Sequence, residues 1–156
     1  VLARGMNTML GYYKNEEATR AVLDADGWYH TGDLGTMSAD GHVFIRGRIK
    51  NMLLGSNGQN VYPEEIEDKL NSMAYVNESL IVQKGDKLIG LVYPDYDEAK
   101  AMDFNDDDLM SIMEQNRLKL NEQLPPFCKI SELRLHEDEF VKTPKKSIKR
   151  YLYKDV

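Results

Sequence analysis

Residues 27–67 read GWYHTGDLGTMSADGHVFIRGRIKNMLLGSNGQNVYPEEIE. Three features crowd this span. Thr31-Gly32-Asp33 is a turn carrying an acid. Arg46-Gly47-Arg48-Ile49-Lys50 is a basic run leaving an apolar, strand-like segment. Gly55-Ser56-Asn57-Gly58 is a glycine-bracketed loop that runs into a helix start. Asp40-Gly41 is a two-residue hairpin signal, flanked by Gly35–Ser38 and the alternating His42-Val43-Phe44-Ile45. Lys50 to Leu54 reads as a further short strand ended by the glycine loop. Pro63 suits the first position of a helix, with Glu64, Glu65 and Glu67 loading its N-terminal end.

Outward from this stretch the chain divides in character near Lys50. Before it the sequence is Gly-rich and strand-like. Val1 to Tyr13 is broken by Gly5 and Gly11, Asn15 to Leu23 suits a short helix, and Asp24 to Gly27 a turn. The opening VLARGM reads as the middle of a strand, so the expectation is a chain cut from something larger. After Lys50, Ile66, Leu70 and Met73 share one helical face. Leu80–Val82, Leu88–Tyr93 and Ile130–Leu135 read as strands. Asp106-Asp107-Asp108 opens a second helix with Leu109, Ile112, Met113 and Leu120 on its buried side, and Pro125-Pro126 stops it. Ser147 to Tyr153 is expected to be a last short helix. Strands and helices alternate irregularly, which predicts α+β. The expected fold is a small C-terminal domain, residues 50–156, with a short hairpin and a three-stranded sheet packed by helices. Residues 1–49 precede it as a strand-rich remnant of a larger domain. An Arg-x-Lys hinge at the boundary suits two domains that move relative to each other.

The totals narrow the function. The 156 residues carry a net charge of -6, which argues against general nucleic-acid binding. A single cysteine, Cys128, excludes an intramolecular disulfide framework and fits a reducing compartment. With 3 scattered histidines it makes no metal cluster. No apolar run approaches the length of a membrane span. The expected location is the cytoplasm, with a membrane-peripheral parent as its variant.

Each chemical feature has two readings when taken alone. Asp33 either closes an Asx-turn or accepts hydrogen bonds from paired hydroxyls such as a ribose cis-diol. Arg48 pairs with phosphate or ribose oxygens, while Arg46 and Lys50 equally suit solvated edge-strand charges. The Gly55–Gly58 loop either binds phosphate through backbone amides or simply connects. The run Lys142-Thr143-Pro144-Lys145-Lys146-Ser147-Ile148-Lys149-Arg150 is a solvated basic face, or presents a lysine to a phosphate in another domain.

In order, these pieces resemble the C-terminal end of the adenylate-forming (AMP-binding) superfamily: acyl- and aryl-CoA synthetases, luciferases and peptide-synthetase adenylation domains. The resemblance rests on RGMNTMLGYYKNEEAT (4–19), WYHTGDLG (28–35), DGHVFIRGRIKNMLLGSNGQNVYPEEIE (40–67), LPPFCKI (124–130) and TPKKSIKR (143–150). SNGQNVYPEEIE and the closing TPxxxIKR are most similar to long-chain fatty-acyl-CoA ligases. The resemblance implies a two-step ligase whose partners are a small-molecule carboxylic acid, Mg2+-ATP and CoA, together with the missing N-terminal domain of the same chain. It implies that Asp33 holds the ribose hydroxyls, Arg48 contacts ribose or phosphate, Lys50 is the hinge, and Gly58 with its loop faces the CoA pantetheine. The family's phosphate loop, acyl pocket and Thr-Glu magnesium motif lie upstream of this stretch, so the chain alone is expected to be inactive. One departure falls inside it. The family's adenylation lysine sits in T-P-x-x-K-I-x-R, and Ser147 occupies that position here. Lys146, one residue early, is the substitute candidate; in an extended segment its side chain points to the opposite face. The alternatives are an aryl-CoA ligase or a peptide-synthetase adenylation domain, and, from a different class, a non-catalytic module binding a partner protein or a CoA-like ligand. Ser147 supports the last.

Overall fold

The structure is a computed structural model that describes residues 1–55 and 57–154. The chain forms two compact units, Val1–Asn51 and Met52–Val156.

The first unit is built of paired short strands. Strands β1 (Leu2–Ala3) and β2 (Tyr29–His30) pair antiparallel, and helix α1 (Glu16–Arg20) lies between them in sequence. Asn15 caps α1, its side chain accepting from the Ala18 amide, as an N-cap asparagine should. Strands β3 (Asp33–Met37) and β4 (Val43–Arg48) form a hairpin that begins with Asp33 opposite Arg48 and ends with Met37 opposite Val43. The loop is longer than the two-residue turn expected at Asp40-Gly41. Ser38 N donates to His42 O, Gly41 N donates to Ser38 O, and Gly41 takes a φ of 87°. This is a three-residue loop closed by a glycine in the left-handed position. Beyond Arg48, residues Ile49–Asn51 make one turn of 3-10 helix rather than the expected strand. Pairing is available only to Leu53 and Leu54, so the strand there shrinks to two residues.

The second unit begins with that strand, β5 (Leu53–Leu54), paired with β6 (Asn60–Val61). Helix α2 (Pro63–Asn71) follows, with proline in its first turn and Ile66 and Leu70 buried. Strands β7 (Val76–Lys84) and β8 (Lys87–Pro94) form a long hairpin with Ile81 opposite Gly90. Helix α3 (Tyr96–Ala101), capped by Asp95, was not expected; its signal was an Asp followed by acids in a six-residue turn. Helix α4 (Asp106–Gln123) opens with a capping box in which Asn105 and Asp108 satisfy each other's amides. It ends where Leu124 turns extended ahead of Pro125. Strand β9 (Ile130–Leu135) then joins β8 in parallel, giving the order β7-β8-β9.

Alternation along the strands gives the sheet two apolar faces. Ile81, Leu88, Val92 and Leu133 pack with Ile66 and Leu70 of α2 and Met113 and Leu120 of α4. Gly90 sits on that face because a β-carbon there would meet a Leu133 methyl. Leu80, Val82, Ile89 and Leu91 face the other way and are covered by Phe140 and Tyr153 from the C-terminal segment. The expected helix over Ser147–Tyr153 is only a 3-10 turn at Arg150–Tyr153. Residues ahead of it are held otherwise, because Lys142 pairs with Ile148 in an antiparallel bridge.

Both sheet edges are capped by side chains. On β9, Asn121 exchanges hydrogen bonds with the Ile130 amide (2.8 Å) and carbonyl (2.9 Å). On β7, the Ile81 amide donates to Glu67 Oε1 (2.7 Å) and the Ile81 carbonyl accepts from Arg150 Nη2 (2.9 Å). Glu67 and Arg150 close the arrangement on each other at 2.7 and 2.8 Å. Backbone groups that would otherwise invite another strand are thereby occupied.

Burial pushes the Glu67 carboxyl above the ordinary carboxylate range, while Arg150 and the Ile81 amide pull it back. An acid raised in the folded state binds its proton more tightly there, so its contribution to stability falls as pH rises through that window. Arg150→Met leaves the carboxylate without its cation and is expected to cost about 3 kcal/mol at neutral pH, the lower end for a broken buried pair. Because the lone carboxyl takes a proton more readily, the loss shrinks on acidification. Urea unfolding at pH 7.5 and pH 5.5 checks both; a loss that grows toward acid contradicts the account.

Candidate functional site

The expected site residues of the first unit meet at the ends of β3 and β4. Gly32 takes a φ of 76°, a turn conformation that a residue with a side chain rarely adopts. The Asp33 amide donates to Thr31 Oγ1 (3.1 Å), so the hydroxyl, not the carboxylate, closes this turn. That leaves the Asp33 carboxylate to reach across the hairpin, where Oδ1 lies 2.5 Å from Arg48 Nη1. The same nitrogen donates to Thr31 O (3.1 Å), and Ile49 N donates to Gly32 O (2.9 Å). The Asx-turn reading of Asp33 is therefore not what its side chain does.

The Arg48 side chain is 54% exposed and that of Asp33 26%. A pair so open to water adds little stability. Its consequence is geometric: an acceptor and a planar, permanently charged donor are held side by side at a strand end. Tyr29 belongs to the same neighbourhood. The neighbouring Tyr12 hydroxyl pushes the phenol above its ordinary value, with Asp33 adding to the effect and Arg48 opposing it. Sequence reasoning passed over both tyrosines, since nothing in their spacing distinguishes them from strand aromatics. Lys50 is exposed, in the 3-10 turn that follows.

The other expected residues lie in the second unit, on two hairpin loops of one geometry. In the first, Gly55 N donates to Gln59 O (2.8 Å), Gly58 N donates to Gly55 O (2.8 Å), and Gly58 has a φ of 77°. Its Ser56 lies outside the described residues. In the second, Thr143 N donates to Ser147 O (2.8 Å), Lys146 N donates to Thr143 O (2.9 Å), and Lys146 has a φ of 61°. The segment around Ser147 is thus a tight loop, not extended chain. The rule that places Lys146 and Ser147 on opposite faces does not apply to it. Both residues are exposed on the loop. Lys146 stands where the hairpins at 38–42 and 55–59 place glycine.

Among the described residues, no group of three or more His, Cys, Asp or Glu side chains is arranged to hold a metal ion. No described helix is long and apolar enough to cross a membrane. The model of the AMP-binding enzyme C-terminal domain matches residues 50–155. The chain belongs to that family. It is similar to a 3-[(3aS,4S,7aS)-7a-methyl-1,5-dioxo-octahydro-1H-inden-4-yl]propanoyl:CoA ligase of Rhodococcus jostii, 40% identical over 116 residues, which are 74% of this chain and 22% of that protein. A long-chain-fatty-acid–CoA ligase of Gallus gallus is 39% identical over 84 residues, 53% of this chain and 11% of that protein. The fold of the adenylation domain of a Mycobacterium chelonae carboxylate reductase superposes with a TM-score of 0.81, covering 94% of this chain and 24% of that one at 21% identity. The chain therefore spans a quarter or less of each of these proteins. The α+β architecture is that of AMP-binding C-terminal domains, and the sequence relatives are CoA ligases.

A lysine in the left-handed region carries a steric penalty of about 1 kcal/mol that glycine escapes. Lys146→Gly is accordingly expected to raise stability by up to about 1 kcal/mol, less the extra freedom glycine brings to the unfolded chain. Thermal unfolding of the variant reads this directly, and a clear loss of stability contradicts the loop geometry.

Proposed function

We propose that this chain is the C-terminal part of an ATP-dependent acyl-CoA ligase. Residues up to about Ile49 end its large nucleotide-binding domain, and Lys50 onward form its mobile domain. The observation that carries the reading is the Asp33–Arg48 pair, set at a strand end directly before a segment that belongs to the AMP-binding C-terminal family.

In the first step a substrate carboxylate oxygen attacks the α-phosphorus of ATP. The α–β bridging bond breaks, pyrophosphate leaves with that electron pair, and an acyl-adenylate forms. In the second, the CoA sulfur attacks the acyl carbon, the bond to AMP breaks, and the thiol proton is released. Asp33 accepts hydrogen bonds from the ribose diol, a role suited to a carboxylate whose turn is already closed by Thr31. Arg48 orients that carboxylate and offers charge to ribose or phosphate oxygens. Magnesium bound with ATP would offset phosphate charge; among the described residues no group of three or more His, Cys, Asp or Glu side chains is arranged to hold it. Lys50 is the pivot between the two poses, and the Gly58 loop faces the pantetheine arm.

Ser147 stands where the adenylation lysine is expected. A hydroxyl does not offset charge developing on the α-phosphate, and loss of such a contact typically costs about two to three orders of magnitude in rate. The parent enzyme is therefore weak in adenylation and competent in thioester formation from a supplied adenylate. Ser147→Lys in the full-length protein is expected to raise ATP–pyrophosphate exchange by about a hundredfold or more. Asp33→Ala in that background is expected to remove the gain. No rise on introducing the lysine overturns the assignment of position 147.

The acyl substrate is a long-chain fatty acid, a reading supported by the Gallus gallus relative and by the SNGQNVYPEEIE and TPKKSIKR segments. The Rhodococcus jostii relative favours a ring-bearing propanoate instead. Thioester formation from a panel of acyl-adenylates separates the two, and preference for the ring acid overturns the fatty-acyl reading.

A further inference from the structure

The basic run 142–150 carries five cations; Lys149 is half-buried, and the other four divide into two kinds. Lys142 and Arg150, at its ends, are paired. Lys142 Nζ lies 2.6 Å from Glu78 Oε1 on β7, and Arg150 grips Glu67 on α2 and the Ile81 carbonyl on β7. Lys145 and Lys146, between them, are exposed. The backbone follows the same division. Lys142 bridges Ile148 and Lys149 N donates to Val141 O (2.8 Å), forming a short stem; Thr143 to Ser147 form the loop at its tip. Phe140 and Ile148 pack into the sheet face beneath the stem, and Tyr153 accepts from the Val141 amide (2.9 Å).

We propose that Glu78–Lys142 and Glu67–Arg150 are a two-point clamp that fixes the loop carrying Lys146 and Ser147, making these four charged side chains positioning residues for whatever the loop presents to the nucleotide. Each strand of the stem is tied by one ion pair to the same rigid body, since α2 and β7 pack together on the sheet. A loop held at one end only is free to pivot about the other, and displacement of a reacting group by about 1 Å costs on the order of a hundredfold in rate. The Glu78 end has little slack. Its second oxygen, Oε2, is buried without a hydrogen-bond partner among the described residues, so Lys142 is the cation that offsets this carboxylate. Loss of Lys142 therefore leaves the Glu78 carboxylate without its cation and this side of the stem held by packing and backbone bonds without a charge tie.

The kinetic consequence rests on the ligase reading above; the clamp itself does not. In the full-length protein, Lys142→Met is expected to remove hydrogen-exchange protection from the amides of Lys146 and Lys149 while leaving α4 protected. Asn121→Ala, which loosens the opposite sheet edge, is the comparison and is expected to leave these amides protected. Unchanged protection in Lys142→Met overturns the clamp. In the Ser147→Lys background, Lys142→Met is expected to lower the kcat of pyrophosphate exchange by about ten- to a hundredfold without moving the KM for ATP. Lys142→Arg is expected to restore it, and CoA transfer from supplied adenylate should not change. Lost protection with unchanged exchange overturns the positioning role. If Ser147→Lys shows no exchange, the ligase reading of position 147 fails, and hydrogen exchange still decides the clamp.

Discussion

Glu67 and Arg150 stand 83 residues apart in the chain, and their contact ties the C-terminal segment to α2 and β7. One carboxylate and one guanidinium meet the amide and carbonyl of Ile81, so a helix, a sheet edge and the C-terminal segment close at a single point. Taking these charges from water is expensive, and the arrangement is tolerable because the polar groups satisfy one another. The gain is specificity more than stability. The ion pair meets β7 at Ile81, and with Phe140 and Tyr153 on the sheet face it fixes the segment that carries the loop at Thr143–Ser147.

The surrounding structure follows from that constraint. With the C-terminal segment fixed, Phe140 and Tyr153 cover the face of the sheet that the helices leave open, so Leu80, Val82, Ile89 and Leu91 need no further layer. A three-stranded sheet this small has two edges close to its centre, and both are occupied by side chains rather than by further strands. The result is a compact support for two loops of like geometry. In one, Gly58 takes the left-handed position at no steric cost; in the other, Lys146 takes it at a cost.

Much of this was legible along the chain. Strand β9, the start of α4 and the stop at Pro125 follow from local pattern, because periodicity, capping residues and proline act within a few neighbours. Asp33 and Arg48 were singled out separately; that they touch follows from hairpin register, which local pattern suggests but does not measure. Along the chain Glu67 is only a charge near a helix start and Arg150 only part of a basic run. Their partnership is a long-range fact with no local signature. The extended reading of residues 143–147 failed for a related reason. Nothing in Thr-Pro-Lys-Lys-Ser announces a left-handed lysine, and the loop closes on its own backbone, Thr143 to Ser147, above a stem that distant residues tie down.

By itself, then, the sequence determined the α+β class, the order of most elements and the family, since those depend on short-range patterning and ordered motifs. It also determined that position 147 is a serine, a fact about composition that no fold alters. Tertiary structure alone decided that Asp33 faces Arg48 instead of closing its own turn, and that the two ends of the basic run are spent on structure. It also decided that Lys146 and Ser147 share a tight loop. Each of these depends on which backbone group or charge the folded chain brings to hydrogen-bonding distance, about 3 Å, and local pattern does not measure that distance.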